Sequence, residues 1–580
     1  MKKLFIYLKK YKKESILAPF FKLLEAFFDL LTPIVVANII NQGITNHDST
    51  YIFYQFLILI VLAIIGMLCS FTAQYFAAKA AVGFTTSLRQ ALYDHIQVLS
   101  YKELDTLGTD TLITRMTSDC NQIQNGLNLA LRLLLRSPFI VFGAMIAAFM
   151  INAKLSLIFL ITIILLSFVV FGIMLISIPL FKKVQKKLDR VLSLTRENLT
   201  GVRVIRAFRK EEAEVKEFNQ QNQAYTKMNE FVGRISALMN PLTYVIINIA
   251  TVILIQQGAI QVNLGTIAQG DVVALYNYMA QIVVELIKMA SLIITIDKSI
   301  ACAERVQSIL DVEPSQQFPS KTKQTVSQQA ISFSNVAFRY NENSENAIED
   351  ISFSIQKGQT LGIIGATGAG KSTLVNLISR FYDAQVGKIQ LFGVDIQDYT
   401  KQALNQIMGV VPQKAVLFQG TIKENMLLGK QDATENDIWQ ALSIAQAKEV
   451  VENKEGQLNA IVEQNGKNLS GGQKQRLTIA RALVKKPQIL ILDDSASALD
   501  FATDAKLRNA ISTLPMTTVI VSQRTSSIRH ADKILVLDDG KLIGQGNHEQ
   551  LMQNCHVYQE IYYSQFPEEK PANFRMEVNA

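Results

Sequence analysis

Six long apolar segments lie in the first half of this chain, and they constrain its fold more than any other feature. Each segment reaches the roughly 20 residues that a helix needs to cross a bilayer. After about residue 300 the composition becomes that of an ordinary globular protein. The sequence therefore predicts a membrane region followed by a water-soluble region. The predicted spans are residues 16–40, 52–78, 131–151, 155–180, 237–260 and 271–296.

The lysines and arginines between the spans predict how the chain crosses the membrane. They are frequent in the segments that join the second span to the third and the fourth to the fifth. The connections 41–51 and 261–270 contain neither residue, and the short connection after the third span contains only Lys154. Basic loops stay on the cytoplasmic side. We therefore expect a multi-pass protein of the cell membrane with both termini in the cytoplasm.

The connections between the spans also predict local structure. The break Asn152-Ala153-Lys154 is so short that the third and fourth spans should form a tight hairpin. The two basic segments are rich in helix-forming residues, so we expect the spans to continue as helices beyond the bilayer. They should turn back near residues 111–121 and 209–217.

The remaining charge and the cysteines narrow the class of protein. The net charge of +8 comes largely from residues that flank the spans, which favours a lipid bilayer and not a nucleic acid as the partner. The N-terminal MKKLFIYLKKYKKE predicts either a short amphipathic helix on the inner membrane face or a disordered basic tail. Four dispersed cysteines without a CxxC pair predict neither a disulfide framework nor a zinc site.

Four charged residues fall inside the predicted spans, where charges are costly and are functional candidates by default. Glu25 and Asp29 are one turn apart in the first span, and Glu285 and Lys288 are close enough to pair in the sixth. These residues either line a polar path through the membrane region or fix helix packing through internal ion pairs. The sequence leaves both interpretations open.

A phosphate-binding loop begins the chemistry of the soluble region. The apolar run Leu361–Ile364 predicts a buried strand, and a helix is expected from Leu374. Glycines between them allow backbone N–H groups to surround phosphates, Lys371 neutralises their charge, and the Ser372 hydroxyl can bind Mg²⁺. The expected nucleotide contacts are Gly365, Ala366, Thr367, Gly368, Ala369, Gly370, Lys371, Ser372 and Thr373.

Two further motifs complete the pattern. QILILDD, residues 488–494, predicts a strand that ends in Asp493, an Mg²⁺-associated acid, and Asp494, which stands where a water-activating base is expected. LSGGQKQR places small residues at the start of a helix, where an anion can bind. The residues expected at that second anion site are Ser470, Gly471, Gly472 and Gln473.

In order and spacing these motifs resemble those of the ATP-binding cassette (ABC) superfamily, specifically exporter-type half-transporters with six spans and one cassette. The resemblance covers nearly the whole chain and includes VVPQ and the sequence Ser497-Ala498-Leu499-Asp500. It implies ATP and Mg²⁺ as cofactors, Tyr340 as the aromatic that stacks on adenine, and Gln413 as a catalytic and metal-associated residue. It also implies a head-to-tail dimer. In that dimer LSGGQ (residues 469–473), the signature motif of the family, and Asp500 contact the partner's nucleotide.

The chain departs from this family at two catalytic positions. Asp494 replaces the usual glutamate, and Gln523 in VIVSQRTS replaces the usual histidine of the switch loop. Aspartate is one methylene shorter, and glutamine cannot carry a proton. A third departure is Gln464, near where many exporters have glutamate. The resemblance therefore implies the degenerate-site subunit of a heterodimer whose partner has both catalytic residues; the alternative is tolerated drift in a homodimer.

The predicted fold is an all-α six-span transmembrane domain followed by an α/β P-loop nucleotide-binding domain. The expected divisions are a transmembrane domain at 1–310, a linker at 311–330, a cassette at 331–565 and a C-terminal tail at 566–580. The expected function is ATP-driven export of hydrophobic or amphipathic compounds such as drugs. The alternatives are import of a siderophore or haem-like ligand, and a membrane-anchored ATP sensor that transports nothing.

Overall fold

The computed structural model describes residues 3–323, 325, 327–495 and 497–571, which form two compact units. The first unit contains the chain up to Gln97 and then Gly108–Val312. The second contains Val98–Leu107 and the chain from Glu313 onward. Part of the predicted C-terminal tail, residues 572–580, lies outside the described residues.

The first unit is entirely helical in its described part, and six of its helical stretches are long and apolar enough to cross a membrane. This confirms the predicted six-span architecture. The stretches are Leu4–Ile44, Ser49–Val98, Thr109–Ile151, Ala153–Thr200, Glu211–Asn263 and Gln269–Leu310.

Several of these stretches consist of more than one helix. The first stretch begins with a 3₁₀ helix, Leu4–Tyr11, and π-helical turns lie at Ile39–Ile44 and Arg115–Asp119. The α-helices up to residue 310 are α1 (Lys12–Asn38), α2 (Ser49–Val98), α3 (Tyr101–Leu107), α4 (Thr109–Thr114), α5 (Cys120–Leu133), α6 (Arg136–Ile151), α7 (Ala153–Thr200), α8 (Val202–Ala207), α9 (Glu211–Ala237), α10 (Met239–Asn263) and α11 (Gln269–Leu310).

The predicted hairpin between the third and fourth spans is confirmed. Helix α6 ends at Ile151 and α7 begins at Ala153. Asn152 adopts an extended backbone between them, and its side-chain oxygen accepts hydrogen bonds from the N–H groups of Lys154 (3.0 Å) and Leu155 (3.1 Å). These bonds satisfy two donors at the start of α7 that have no partner within the helix.

The chain reverses earlier than the sequence predicted. Helix α2 ends at Val98, and after α3 the chain enters α4 at Thr109, so residues 111–121 already lie on the returning segment. Gly108 makes the reversal possible because its φ of 74° is one that glycine adopts readily. The second reversal lies at α8, between Thr200 and Glu211, and only partly overlaps the predicted 209–217.

The second unit contains two main sheets. A six-stranded sheet has the order β12-β11-β3-β10-β9-β6, and a four-stranded antiparallel sheet has the order β2-β1-β4-β5. The strands are β1 (Gln329–Phe338), β2 (Ile348–Gln356), β3 (Thr360–Gly365), β4 (Val386–Leu391), β5 (Val394–Asp395), β6 (Met408–Val411), β7 (Gly420–Thr421), β8 (Ile461–Val462), β9 (Ile489–Asp493), β10 (Thr517–Val521), β11 (Lys533–Asp538) and β12 (Lys541–Gly546).

Helices lie between these strands, as expected for an α/β domain. Apolar residues of β3, β9, β10 and β11 are buried, as in parallel strands covered on both faces. The helices are α12 (Lys371–Ile378), α13 (Lys401–Ile407), α14 (Ile422–Leu427), α15 (Glu435–Ile444), α16 (Lys448–Glu452), α17 (Gly471–Leu483), α18 (Phe501–Ser512), α19 (Thr525–Ile528), α20 (His548–Asn554) and α21 (His556–Gln565).

The helix α3 belongs to this second unit although it lies far from the cassette in sequence. The ring of Tyr101 stacks on Phe381 with centroids 4.4 Å apart. The Tyr382 hydroxyl donates a hydrogen bond to the Asp105 carboxylate. Aromatic contact and a charge-assisted bond together attach α3 to the cassette.

The topology brings three strand ends together. Strands β3, β10 and β9 are adjacent and parallel, and Val521 of β10 pairs with Ile363 on one side and Asp493 on the other. The carboxyl ends of all three strands therefore lie at the same edge of the sheet, where ligands bind in open α/β sheets.

Candidate functional site

A cleft of about 290 Å³ lies at this edge of the sheet. It collects residues from segments that are far apart in sequence, including the phosphate-binding loop, the strand β9 and the loop after β10. The lining residues are Tyr340, Ala347, Thr367, Gly368, Gly370, Lys371, Ser372, Thr373, Gln413, Asp493, Asp494, Val521 and Gln523.

The phosphate-binding loop joins β3 to α12. Its last glycine occupies a position where a side chain would not fit. Gly370 precedes α12 with a φ of 91°, and a Cβ there would lie 2.8 Å from the Ala347 carbonyl oxygen. The Lys371 ammonium donates to the carbonyl oxygens of Gly365 (2.8 Å) and Ala366 (2.6 Å). The loop thus presents a helix N-terminus and a cation together, the arrangement that binds phosphates.

Two adjacent carboxylates face this loop. Asp493 ends β9, and burial raises its pKa; the neighbouring Asp494 raises it further, whereas the Ser372 hydroxyl and Lys371 lower it. Burial also raises the pKa of Asp494, and the Gln413 side chain, which donates to its Oδ2 at 3.4 Å, opposes that shift. Burial lowers the pKa of Lys371. Each charged form is thus disfavoured by desolvation, as is common at functional sites.

The donor atoms around the carboxylates suit Mg²⁺. The Ser372 hydroxyl, the Asp493 carboxylate and the Gln413 side-chain oxygen are hard oxygen ligands, and all three residues line the cleft. Mg²⁺ is usually held by one or two carboxylates together with nucleotide phosphates. The residues present therefore fit a magnesium–nucleotide complex.

The aromatic residue predicted to contact the base lies at the cleft and is held by its neighbours. The Tyr340 hydroxyl is 3.2 Å from Thr373 Oγ1, and the Asn376 amide donates to it at 3.3 Å. The Tyr340 ring packs edge-to-face against Tyr382, with centroids 5.2 Å apart. About a third of Tyr340 remains exposed (37%), which leaves ring surface for stacking.

The signature motif lies outside the cleft. Ser470 caps α17: its hydroxyl accepts the Gln473 N–H at 3.3 Å, and its own N–H donates to the Gln473 side chain at 3.0 Å. Ser470 and Gly471 are exposed. A Cβ on Gly472 would lie 3.1 Å from the Ala498 carbonyl oxygen. The motif is therefore an exposed helix N-terminus whose backbone lies close to the segment that leads to Asp500.

Asp500 also lies outside the cleft and caps the next helix. Its Oδ1 accepts the Thr503 N–H at 2.9 Å, and hydrogen bonds from backbone N–H groups lower its pKa. Gly365, Ala366 and Ala369 of the phosphate-binding loop do not line the cleft, and the other sequence-predicted site residues fall into two groups. One group lines the cleft, and the other, Ser470 to Gln473 with Asp500, forms an exposed surface elsewhere on the same unit.

The charges inside the membrane unit form a separate cluster. Arg136 Nη1 lies 2.6 Å from Glu285 Oε1, and Nη2 lies 2.9 Å from Asp29 Oδ2. The predicted pair between Glu285 and Lys288 is present, with Lys288 Nζ 3.0 Å from Glu285 Oε1. Lys22 Nζ lies 2.5 Å from Glu25 Oε2. We call this set the membrane charge cluster: Lys22, Glu25, Asp29, Arg136, Glu285 and Lys288.

The membrane charge cluster joins helices that are distant in sequence. Asp29 belongs to α1, Arg136 begins α6, and Glu285 lies in α11. The Ser137 hydroxyl adds a bond of 2.7 Å to Glu285. The geometry supports the internal ion-pair interpretation of these residues. The side chains of Asp29 and Lys288 are 44% and 45% exposed, so the transport-path interpretation stays open for those two.

Comparison with known proteins identifies the family. Residues 15–286 match the ABC transporter transmembrane region, and residues 348–497 match the ABC transporter domain. The ABC transporter ATP-binding protein YfiB of Bacillus subtilis is 34% identical, over 98% of this chain and 99% of the relative. The chain belongs to the ABC transporter family. The ABC transporter ATP-binding protein Rv1273c of Mycobacterium tuberculosis is 32% identical, over 96% of this chain and 97% of the relative.

A solved structure supports the same fold for this ABC transporter. A bacterial Atm1-family ABC exporter, determined with ATP bound, superposes with a TM-score of 0.80. The match covers 97% of this chain and 99% of that chain, with 23% identity. The protein therefore has the fold of an exporter-type half-transporter, with one membrane region and one cassette. As a member of the ABC transporter family it is a multi-pass membrane protein that binds ATP and couples its hydrolysis to transport.

Sequence reasoning missed four charged or polar residues of this ABC transporter. Arg136 and Lys22 lie inside or beside predicted spans, so the rule that singled out Glu25 and Asp29 could have found them. Arg524 follows Gln523 directly, and its positive charge opposes the burial-induced rise in the pKa of Asp494. Gln565 contacts the switch loop from α21, and no pattern in the sequence around it indicates that role.

Proposed function

We propose that this chain is the degenerate-site subunit of a heterodimeric ABC exporter. The observation that supports this most directly is the composition of the cleft. Asp494 and Gln523, the two altered catalytic positions, line the same cleft as Lys371 and Ser372, which keep the phosphate-binding pattern. A site of this composition binds ATP and hydrolyses it slowly.

The side-chain chemistry explains the slow hydrolysis. Asp494 is shorter than glutamate, its backbone adopts a φ of 42°, and its N–H donates to the Val521 carbonyl oxygen at 3.0 Å. Because the side chain is one methylene shorter, its carboxylate lies closer to the strand than that of a glutamate would, and so farther from an attacking water. Gln523 can hydrogen-bond a phosphate oxygen but cannot accept a proton or become positively charged. A well-placed general base contributes roughly 10²–10⁴-fold to a rate, and this site lacks that geometry.

Residues of this chain prepare the cleft for the magnesium nucleotide. Lys371 would neutralise phosphate charge, Ser372, Asp493 and Gln413 would hold the metal, and Tyr340 would stack on the base. Bound Mg²⁺ would neutralise charge on the β- and γ-phosphates. The remaining predicted loop contacts, from Gly365 to Thr373, supply backbone N–H groups.

The surface outside the cleft serves the partner. Ser470, Gly471, Gly472 and Gln473 present a helix N-terminus, and the segment that leads to Asp500 lies close to it in space. In a head-to-tail dimer this surface completes the nucleotide site of a second half-transporter that has the catalytic glutamate and the switch histidine. Hydrolysis at that composite site drives transport.

The apolar composition of the spans favours export of hydrophobic or amphipathic compounds, such as drugs. We propose that both termini are cytoplasmic, as the distribution of basic residues predicts. We also retain the sequence-derived divisions at 1–310, 311–330, 331–565 and 566–580 as the functional domains.

The test compares the two ATP sites of the assembled dimer. We expect Asp494→Asn to leave more than half of the ATP turnover of liposome-reconstituted transporter. Neutralising the partner's catalytic glutamate should lower turnover by about 10²-fold or more. The control is Asp432→Asn, which changes an exposed carboxylate outside the cleft.

Equal loss of turnover from Asp494→Asn and from the partner substitution would refute the degenerate-site proposal. A homodimer of this chain that hydrolyses ATP at full rate would refute the heterodimer. Flux of a fluorescent amphipath in the same liposomes tests direction, and inward flux or no flux would contradict export.

A further inference from the structure

The loop that contains Gln523 is attached to the last described α-helix of the cassette by one side chain. Gln565, the final residue of α21, donates from Nε2 to the Gln523 carbonyl oxygen at 2.8 Å. Its Oε1 accepts two hydrogen bonds from Thr525, from the backbone N–H at 2.8 Å and from the hydroxyl at 2.9 Å. One amide thus makes three bonds to residues on both sides of Arg524.

We propose that Gln565 is a positioning residue that orients Gln523 toward the γ-phosphate of a nucleotide in this chain's cleft. The inference rests on the proposed role of Gln523 as a phosphate ligand there. A primary amide suits the task because it donates and accepts at once. Through it, α21 determines where the backbone of Gln523 lies.

The opposite side of the same loop is attached to α18, the helix that Asp500 caps. The Arg524 guanidinium lies 4.8 Å from the centre of the Phe501 ring. Arg508 Nη1 donates to the Ser526 carbonyl oxygen at 2.8 Å, and the Ser527 hydroxyl contacts Asp504 Oδ2 at 3.2 Å. Arg524, Ser526 and Ser527 therefore keep their contacts to α18 when Gln565 is removed, whereas Gln523 and Thr525 lose their bonds to Gln565.

The helix α21 does not need Gln565 in order to pack. Tyr558 is fully buried and Tyr562 is 2% exposed. The Tyr558 hydroxyl lies 2.8 Å from His548 Nδ1. These contacts anchor α21 independently, so truncation of Gln565 separates the position of Gln523 from the folding of the cassette.

The experiment measures whether this chain's cleft distinguishes a γ-phosphate. The assembled dimer is photolabelled with 8-azido-ATP, and the labelled band of this chain is competed with the non-hydrolysable analogue AMP-PNP or with ADP. We expect Gln565→Ala to lower the affinity of the cleft for AMP-PNP roughly tenfold, because a single hydrogen bond to phosphate is lost. The affinity for ADP should stay unchanged. Gln523→Ala should give the same result, and the double variant should be no weaker than Gln523→Ala.

Two further variants test whether the effect comes from the bond to Gln523 and not from a general change in α21. Gln559→Ala removes an amide of the same helix that donates to the Met552 carbonyl oxygen at 2.7 Å. It should change the affinity for neither AMP-PNP nor ADP. Gln565→Glu keeps the acceptor for Thr525 and loses the donor to Gln523. We expect it to melt at the wild-type temperature and still to weaken AMP-PNP.

The proposal would be overturned if Gln565→Ala and Gln565→Glu lowered the affinities for AMP-PNP and ADP equally. It would also be overturned if the losses in AMP-PNP affinity from Gln523→Ala and Gln565→Ala added in the double variant. The readout does not depend on hydrolysis. The Asp494→Asn turnover test can therefore fail while the Gln565 result stands, and the Gln565 proposal can fail while the degenerate-site proposal stands.

Discussion

The membrane charge cluster and the nucleotide cleft differ in whether their charged side chains are paired with one another. In the membrane unit Arg136 lies within 3 Å of both Asp29 and Glu285, so acidic and basic groups neutralise one another. In the cleft Asp493 and Asp494 are adjacent, and Lys371 donates to backbone carbonyls. Internally balanced charge stabilises the protein itself. Unbalanced charge indicates a site that a ligand completes, here a magnesium nucleotide.

The largest expected effect comes from breaking the balance in the membrane. Arg136→Met leaves the buried Glu285 and the partly exposed Asp29 without their shared cation, which should cost about 3–5 kcal/mol of unfolding free energy, chiefly at Glu285. Denaturant unfolding in detergent measures this. Arg136→Met combined with Asp29→Asn and Glu285→Gln should recover part of the loss.

The matched control is Arg190→Met, which removes an exposed arginine that lies 3.5 Å from Glu217. Exposed pairs contribute roughly 0–1 kcal/mol. Similar destabilisation by Arg136→Met and Arg190→Met would contradict the stabilising role of the membrane charge cluster.

The next effect concerns ligand binding at the cleft. Lys371→Ala removes the cation that meets the phosphates, and a hydrogen bond to a charged group contributes about 1.5–3 kcal/mol. The affinity of this chain for ATP should fall by roughly 10- to 100-fold in competition photolabelling, with little change in unfolding. Lys323→Ala, which alters an exposed lysine paired with Asp398, is the control. Unchanged ATP affinity in Lys371→Ala would place the phosphates elsewhere.

A smaller gain should follow from restoring the catalytic residues. Asp494→Glu combined with Gln523→His supplies a longer base and a group that can carry a proton. With the partner's site inactivated, ATP turnover should rise on the order of 10-fold, part of the 10²–10⁴ that a well-placed base supplies. No gain would mean that the backbone at Asp494, with its φ of 42°, prevents a productive geometry.

The smallest expected effect is the dependence of stability on pH. Burial raises the pKa of Asp494 above the ordinary 3.8. The folded protein therefore binds this proton more tightly than the unfolded chain, and stability falls as pH rises from 3.8 through the folded-state pKa. The nucleotide-free Asp494→Asn variant should lack this loss, a difference of about 1 kcal/mol or less for a solvent-screened group. Melting temperatures across pH 4 to 7 measure it; parallel curves for the two proteins would contradict it.

Local sequence and long-range contacts differed in how well they could be predicted. The loop from Gly365 to Thr373 could be located because its glycines, lysine and hydroxyls are contiguous, and the six spans because each lies within one apolar run. Arg136 and Glu285 are 149 residues apart, and Gln565 and Gln523 are 42 apart, so their contacts depend on tertiary packing that no local pattern encodes. The first reversal was misplaced because Gly108 was not recognised as its pivot.

The length of α2 has a mechanical consequence. Its 50 residues contain no proline and form one continuous helix, about 75 Å long at 1.5 Å per residue. A rod of that length is a lever: a tilt of about 10° at one end displaces the other by about 13 Å, more than the width of a helix. A modest tilt at the end of α2 near Val98 would therefore move its apolar end past a full neighbouring helix.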